Sequence, residues 1–250
     1  MSVVQNATRV ADPRIPGCRY CPLTLNSASS PDVPVIESFR TSHGRAWSGD
    51  VIIEQGSRRS RLFTMFSGWG IKYKSLDSGE RQVVHVLLPG DFVGIETCMF
   101  GAAEYSVQAV TDVTFCNFDA DRFSEFSGAP GIGRRIMTMQ AHETSMICER
   151  LTAIGASDAR RNIAHLIASL HLRLLKLGLA QERGFRLPLS IQQIADAGGL
   201  TPVHVHRVLR ALREERIVSL DCRKIEIMDL DGLRDIARVV GMDFPHDMML

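Results

Sequence analysis

Between residues 51 and 118 apolar residues come in short runs, at 51–54, 62–66, 71–75, 82–88, 105–110 and 113–118. Glycines punctuate them: Gly56, Gly68, Gly79, Gly90 and Gly101 lie 11 or 12 residues apart. Short strands at even spacing with glycine turns predict an all-β barrel or sandwich. Asp77-Ser78-Gly79-Glu80 and Pro89-Gly90-Asp91 read as turns between consecutive strands. After Ala129-Pro130-Gly131 the rhythm changes. Met137, Gln140, Thr144, Ile147, Leu151 and Ile154 recur at steps of three and four, which predicts one long helix with a partly polar, coiled-coil-like seam suited to a second copy of the chain.

A third pattern occupies 190–212. Ser190 stands where an N-cap belongs, Ile191, Ile194 and Ala195 recur at helical spacing, and Gly198-Gly199 supply a turn. Thr201 caps a second helix whose first residue is Pro202. Val205, Val208, Leu209 and Leu212 share one face of it. Val203, His204, His206, Arg207 and Arg210 share the other, which suits a DNA major groove, with Thr201 at its start. Any amphipathic helix pair gives such a pattern. What selects the DNA-binding reading is the next segment, where β-rich runs at 217–220 and 224–228, joined by Asp221-Cys222-Arg223, form a hairpin behind the second helix: a wing.

The chain has 250 residues and 45% hydrophobic content, enough for two compact domains. A net charge of +1 rules out indiscriminate attraction to nucleic acid. DNA affinity must therefore come from local charge, and Arg207, Arg210, Arg213, Arg216, Arg223 and Lys224 crowd the last third. No apolar run is long enough to span a bilayer and the first residues lack an apolar signal core, so the expected location is the cytoplasm, away from membranes. There the six cysteines stay reduced. Cys98, Cys116, Cys148 and Cys222 read first as small buried apolar residues. Cys18-Arg19-Tyr20-Cys21, flanked by Pro13, Pro16, Gly17 and Pro22, has little packing purpose and reads as a metal-ligating or redox-active pair.

In this order of parts, with Leu88-Pro89-Gly90-Asp91-Phe92-Val93-Gly94 inside the glycine-punctuated segment and GLTPVHVHRVLRALREERIV across the second motif, the chain resembles the Crp/Fnr transcription regulators. The resemblance covers about residues 44–241. It implies an α+β chain: a CxxC-bearing extension at 1–43, a cyclic-nucleotide-binding-like β-roll (jelly roll) at 44–126, a dimerisation helix at 127–156, a winged helix-turn-helix at 157–241 and a tail at 242–250. It further implies a homodimer on a palindromic double-stranded DNA site, RNA polymerase as a partner, and no enzymatic activity.

Departures from the family narrow the effector. Cyclic-AMP-binding members carry a Gly-Glu-Leu turn after the Gly-Asp-Phe motif and an Arg-Ser pair about ten residues on. Here the segments are Gly94-Ile95-Glu96-Thr97 and Tyr105-Ser106, so a tyrosine stands in place of the phosphate-binding cation, which argues against cyclic AMP. The Cys18/Cys21 pair with Cys116 resembles instead the oxygen-sensing Fnr-like branch, whose cysteines hold a 4Fe-4S cluster. One N-terminal cysteine of that branch is missing here, and Cys98 is the candidate for the open fourth ligand. A CxxC thiol switch, haem through His85 or His43, or a small organic effector remain alternatives. A cupin-like metal enzyme would need a His-x-His and Glu constellation, and only His85 falls in a predicted strand. In the second helix Arg207 matches the family's arginine, while Val203 and His206 do not match its neighbours, implying a related but distinct DNA site.

Overall fold

A computed structural model describes residues 32–129, 131–155 and 158–237. They divide into two compact units at Glu143/Thr144.

The first unit opens with α1 (Asp32–Phe39) and β1 (Arg40–Ala46). Then come β2 (Val51–Ile53), β3 (Leu62–Ser67), β4 (Gly70–Ser75), β5 (Arg81–Leu87), β6 (Phe92–Val93), α2 (Ile95–Phe100), β7 (Ser106–Ala109), β8 (Val113–Phe118) and α3 (Phe123–Gly128). The strands form two antiparallel sheets, ordered β1-β8-β3-β6 and β2-β7-β4-β5. Their alternation separates two cores. Val113 and Phe115 of β8, with Phe63 and Met65 of β3, face a cluster shared with Ile52, Ile53, Val107 and Ala109 of the other sheet. Cys116 and Phe118 of β8, with Leu62 of β3, face the opposite way, onto a cluster closed by Ile36 and Phe39 of α1 and Phe123 and Phe126 of α3. Gly94, just before α2, has φ +100° and backs so closely onto the Arg61 carbonyl that a Cβ would lie 1.7 Å from its oxygen. Only glycine fits there.

The β-roll thus starts earlier than its periodicity indicates. Residue 43 lies inside β1, which pairs with β8 in the register His43↔Cys116. The alternation of β1 is polar, RTSHGRA, so no apolar rhythm marks it. His43 therefore joins His85 as a second strand histidine, and neither belongs to a His-x-His pair.

The long helix is α4 (Ile132–Gly155). Ile132 and Ile136 pack into the α1/α3 cluster. Along the seam Met137 and Leu151 are 74% and 67% exposed, and Thr144 and Ile147 are exposed too. Gln140 and Ile154 are half-buried. An aliphatic seam facing water is unfavourable for a lone subunit.

The second unit holds α5 (Ala159–Lys176), β9 (Gly184–Arg186), α6 (Ile191–Gly198), α7 (Pro202–Glu214), β10 (Val218–Asp221), β11 (Lys224–Ile227) and α8 (Leu230–Ala237). Asp158 caps α5 by accepting from the Arg160 amide, and Ile163, Ala164, Leu166, Ile167, Leu170 and Leu174 form its buried stripe. The sheet order is β10-β11-β9, so the wing hairpin gains a third strand. No helix among the described residues is long and apolar enough to cross a membrane.

Candidate nucleic-acid interface

Helix α6 begins with a capping box. The Ser190 hydroxyl accepts from the Gln193 amide (3.1 Å) and the Gln193 side chain accepts from the Ser190 amide (2.8 Å). It ends at Gly199, whose φ of 60° is left-handed. Gly198 stays helical, so one glycine makes the turn where the sequence offered two. Thr201 then caps α7 by accepting from the His204 amide (3.3 Å), with Pro202 at N1.

Val205 and Leu212 of α7 are fully buried, and Val208 and Leu209 half-buried. On the opposite face Val203, His204, His206, Arg207 and Arg210 are all exposed. Thr201 is exposed as well, though its hydroxyl is engaged as a cap. Downstream, Arg213, Arg216, Arg223 and Lys224 are exposed. Among the described residues none of these cations forms an ion pair, which leaves their charge available to phosphates. The wing tip is a two-residue turn in which Cys222 (φ 45°) and Arg223 (φ 63°) both adopt left-handed conformations, with Asp221 already paired to Lys224.

Two family models match the chain: "Cyclic nucleotide-binding domain" over residues 46–128 and "Crp-like helix-turn-helix domain" over 163–236. The chain is 31% identical over 216 residues to the transcriptional activator protein FnrL of Cereibacter sphaeroides, covering 83% of this chain and 86% of the relative. The chain belongs to the Crp/Fnr family, with Fnr-like relatives. The nitrogen fixation regulation protein FixK of Bradyrhizobium diazoefficiens is 28% identical over 216 residues, 85% of this chain and 90% of that one. Among solved structures, FixK2 from Bradyrhizobium japonicum superposes with a TM-score of 0.69 at 22% identity, over 78% of this chain and 96% of that chain, a likeness of fold. The chain is thus a DNA-binding transcription regulator, and its relatives are named as regulators rather than enzymes.

The Crp/Fnr roll of this chain carries an internal polar cluster that the sequence reading missed. Lys72 of β4 is buried, with Nζ 3.6 Å from Glu96 of α2 and 2.5 Å from Glu143 of α4. It lies 4.3 Å from the centre of the Tyr105 ring, and the Tyr105 hydroxyl donates to Glu96. Burial, then the Glu96 charge, pushes the Tyr105 hydroxyl far above its ordinary pKa, so it stays a donor. The expectation that no cation stands near Glu96 is therefore corrected. A single lysine in a strand carries no pattern, and only the fold brings it to Glu96 and Tyr105.

Of the predicted ligand set, Cys18 and Cys21 lie outside the described residues. Cys116 is buried on β8. Cys98 of α2 is half-buried against the same apolar cluster, and burial, with Asp121 and Glu96 behind it, pushes its thiol up to about 11. Among the described residues no three metal-ligating side chains converge. Cys148 and Cys222, expected as buried fillers, are exposed: one lies beside Ile147 on α4, the other at the wing tip. Short buried helices and strands would have hidden them, but a one-sided helix and a two-residue turn do not.

Proposed function

We propose that this chain is a homodimeric, cytoplasmic transcription regulator that reads a palindrome through α7 and the wing and answers to oxygen or redox state through Cys18, Cys21 and Cys116. The observation that carries the DNA reading is the row of exposed cations, without ion-pair partners among the described residues, from Arg207 to Lys224. In this reading Arg207 would make a two-pronged contact with guanine, and Arg210, Arg213 and the wing cations would hold phosphates. The apolar seam of α4 supports a two-fold partner. Relatives named as activators support activation, and with it contact with RNA polymerase.

Redox control is supported by relatives named "Anaerobic regulatory protein" in Pasteurella multocida and Haemophilus influenzae. It is also supported by the placement of Cys116: α1, which follows Cys21 by 11 residues, packs on the cluster containing Cys116. Eleven residues reach at most about 35 Å, ample for the pair to approach Cys116. The donor set suits thiolate-loving iron: Cys18, Cys21 and Cys116 would be three ligands of a 4Fe-4S cluster, which when bound supplies an oxygen-labile centre. Cys98, half-buried against the cluster that contains Cys116, would be the fourth ligand. The second reading is a local CxxC dithiol switch, which needs Cys18 and Cys21 alone.

Cyclic AMP is disfavoured on new grounds. A cation is present, but Lys72 already pairs with two carboxylates, and a cyclic phosphate would have to displace them.

The test is purification without oxygen, followed by the absorption spectrum and DNA binding before and after air. Cys18→Ser, Cys21→Ser and Cys116→Ser should each abolish the same chromophore and the same air response. Should Cys116→Ser behave as the unmutated protein while the other two lose the response, the dithiol switch replaces the cluster.

A further inference from the structure

Arg150 of α4 has an environment that DNA reading and dimerisation as described above do not use. Its Nη2 donates to the Ala197 carbonyl of α6 at 2.5 Å. Burial lowers its pKa to about 10, a sign of a largely desolvated guanidinium. Among the described residues it has no carboxylate partner. Beside it His165 is buried, and among the described residues neither of its ring nitrogens has a hydrogen-bond partner. A half-buried cation without an anion is costly, and among the described residues the negative end of α6 is what offsets it.

Three carbonyls of that helix end are held. The Asn162 side chain, buried on α5, donates to the Gly198 carbonyl at 2.6 Å. The Gly199 and Leu200 amides both donate to the Ala195 carbonyl. Three residues after Gly198, Thr201 caps α7. The peptide that Arg150 grips therefore sits just before the turn that aims α7, with little slack between. On α4, Arg150 lies about a quarter-turn round from the Ile147/Leu151 seam at 3.6 residues per turn, so one helix presents apolar residues to solvent and a cation to α6.

We propose that Arg150 is a positioning residue for DNA recognition, through which α4 fixes the C-terminal end of α6 and thereby the setting of α7. The inference rests on α7 being the helix that reads DNA. Charge and reach both matter: the guanidinium opposes the dipole of α6, and its donor fixes the Ala197 carbonyl in space. Asn162 supplies the second, neutral clamp on the adjacent carbonyl. A shift or roll of α4 about its axis would move the first clamp against the second and so change the turn.

The experiment uses the full chain and three duplexes: a palindrome selected by the unmutated protein from a random pool, one half-site of it, and a scrambled control. Arg150→Met keeps the stem and removes the donor and charge. It should lower palindrome and half-site affinity alike by about tenfold per site, the scale of one charge-assisted hydrogen bond, and leave the scrambled duplex unaffected. Amide exchange at Gly199 and Leu200 should quicken, and the sedimentation coefficient should stay that of the unmutated protein. Arg150→Lys, which can still donate to a carbonyl, should recover part of both. Unmutated affinity and exchange in Arg150→Met would overturn the proposal. So would an affinity loss with unaltered exchange, or one confined to the palindrome, which would be a dimer defect. If Arg150→Met does not fold, Arg150→Gln is read by the same criteria. Arg207→Ala serves as the control: it should lose specificity with unaltered exchange, and unaltered specificity there would reject α7 as the reading helix whatever Arg150 does.

Discussion

Inside the β-roll the Lys72 ammonium lies against Glu96, Glu143 and the Tyr105 ring, whereas on the winged unit Arg207, Arg210, Arg213, Arg216, Arg223 and Lys224 stand in solvent without ion pairs among the described residues. The same residue chemistry has opposite consequences. In a low-dielectric interior a cation must be matched by its own chain, so its charge is invisible outside and its role is cohesion. At the surface an unpaired cation costs almost nothing and is free for a polyanion. A chain with net charge +1 can therefore still carry a locally cationic DNA face.

The largest expected effect comes from splitting the exterior charge into single copies. Ile147→Asp should shift the protein toward monomer in sedimentation, since two acids would meet across the seam. Palindrome binding should then fall to about half-site strength, a loss of about 100-fold or more. An unaltered dimer would place the interface elsewhere. Next comes the interior: Lys72→Met strands two carboxylates and should lower unfolding stability by about 3 kcal/mol while leaving the ratio of specific to scrambled DNA binding unchanged. A change in that ratio instead would end the separation between cohesive and DNA-facing charge.

A smaller effect tests a buried basic group within the winged unit. Burial first, then the Arg150 charge, lowers the His165 pKa from 6.5 to about 4. The unfolded chain thus binds a proton that the folded one refuses between those values. Stability from this group is present above pH 6.5 and is lost as pH falls toward 4, by about 2 kcal/mol after allowing for partial solvent access. His165→Phe should flatten that slope in urea titrations at pH 7 and pH 4.5. Arg207→Ala should cost about 1–3 kcal/mol of discrimination per half-site in competition binding, and its effect on stability is the smallest of all, less than about 0.5 kcal/mol.

What the sequence made legible follows the same division. Ser190, Gly199, Thr201 and Pro202 act through local backbone chemistry, and the structure places each in the role its type indicates. Most strands of the roll were marked by apolar alternation, but β1 was hidden because its residues are largely polar, and α1 and α2 because they are short. Lys72, Glu143, Arg150 and Asn162 carry no local signature. Their meaning depends on partners 24 to 71 positions away, as in Lys72 with Glu96 or Glu143, and only tertiary contact reveals such pairs.

The tip of the wing has a consequence for how this protein could be stabilised. A two-residue turn with both φ angles positive favours Asn-Gly, and Cys222-Arg223 holds that shape against the preference of both side chains. A selection for heat resistance alone would therefore be drawn to Asn and Gly at these positions. The gain would come with a missing guanidinium at the exposed tip of the hairpin, so hardier variants found this way should hold DNA less firmly and show a shallower salt dependence.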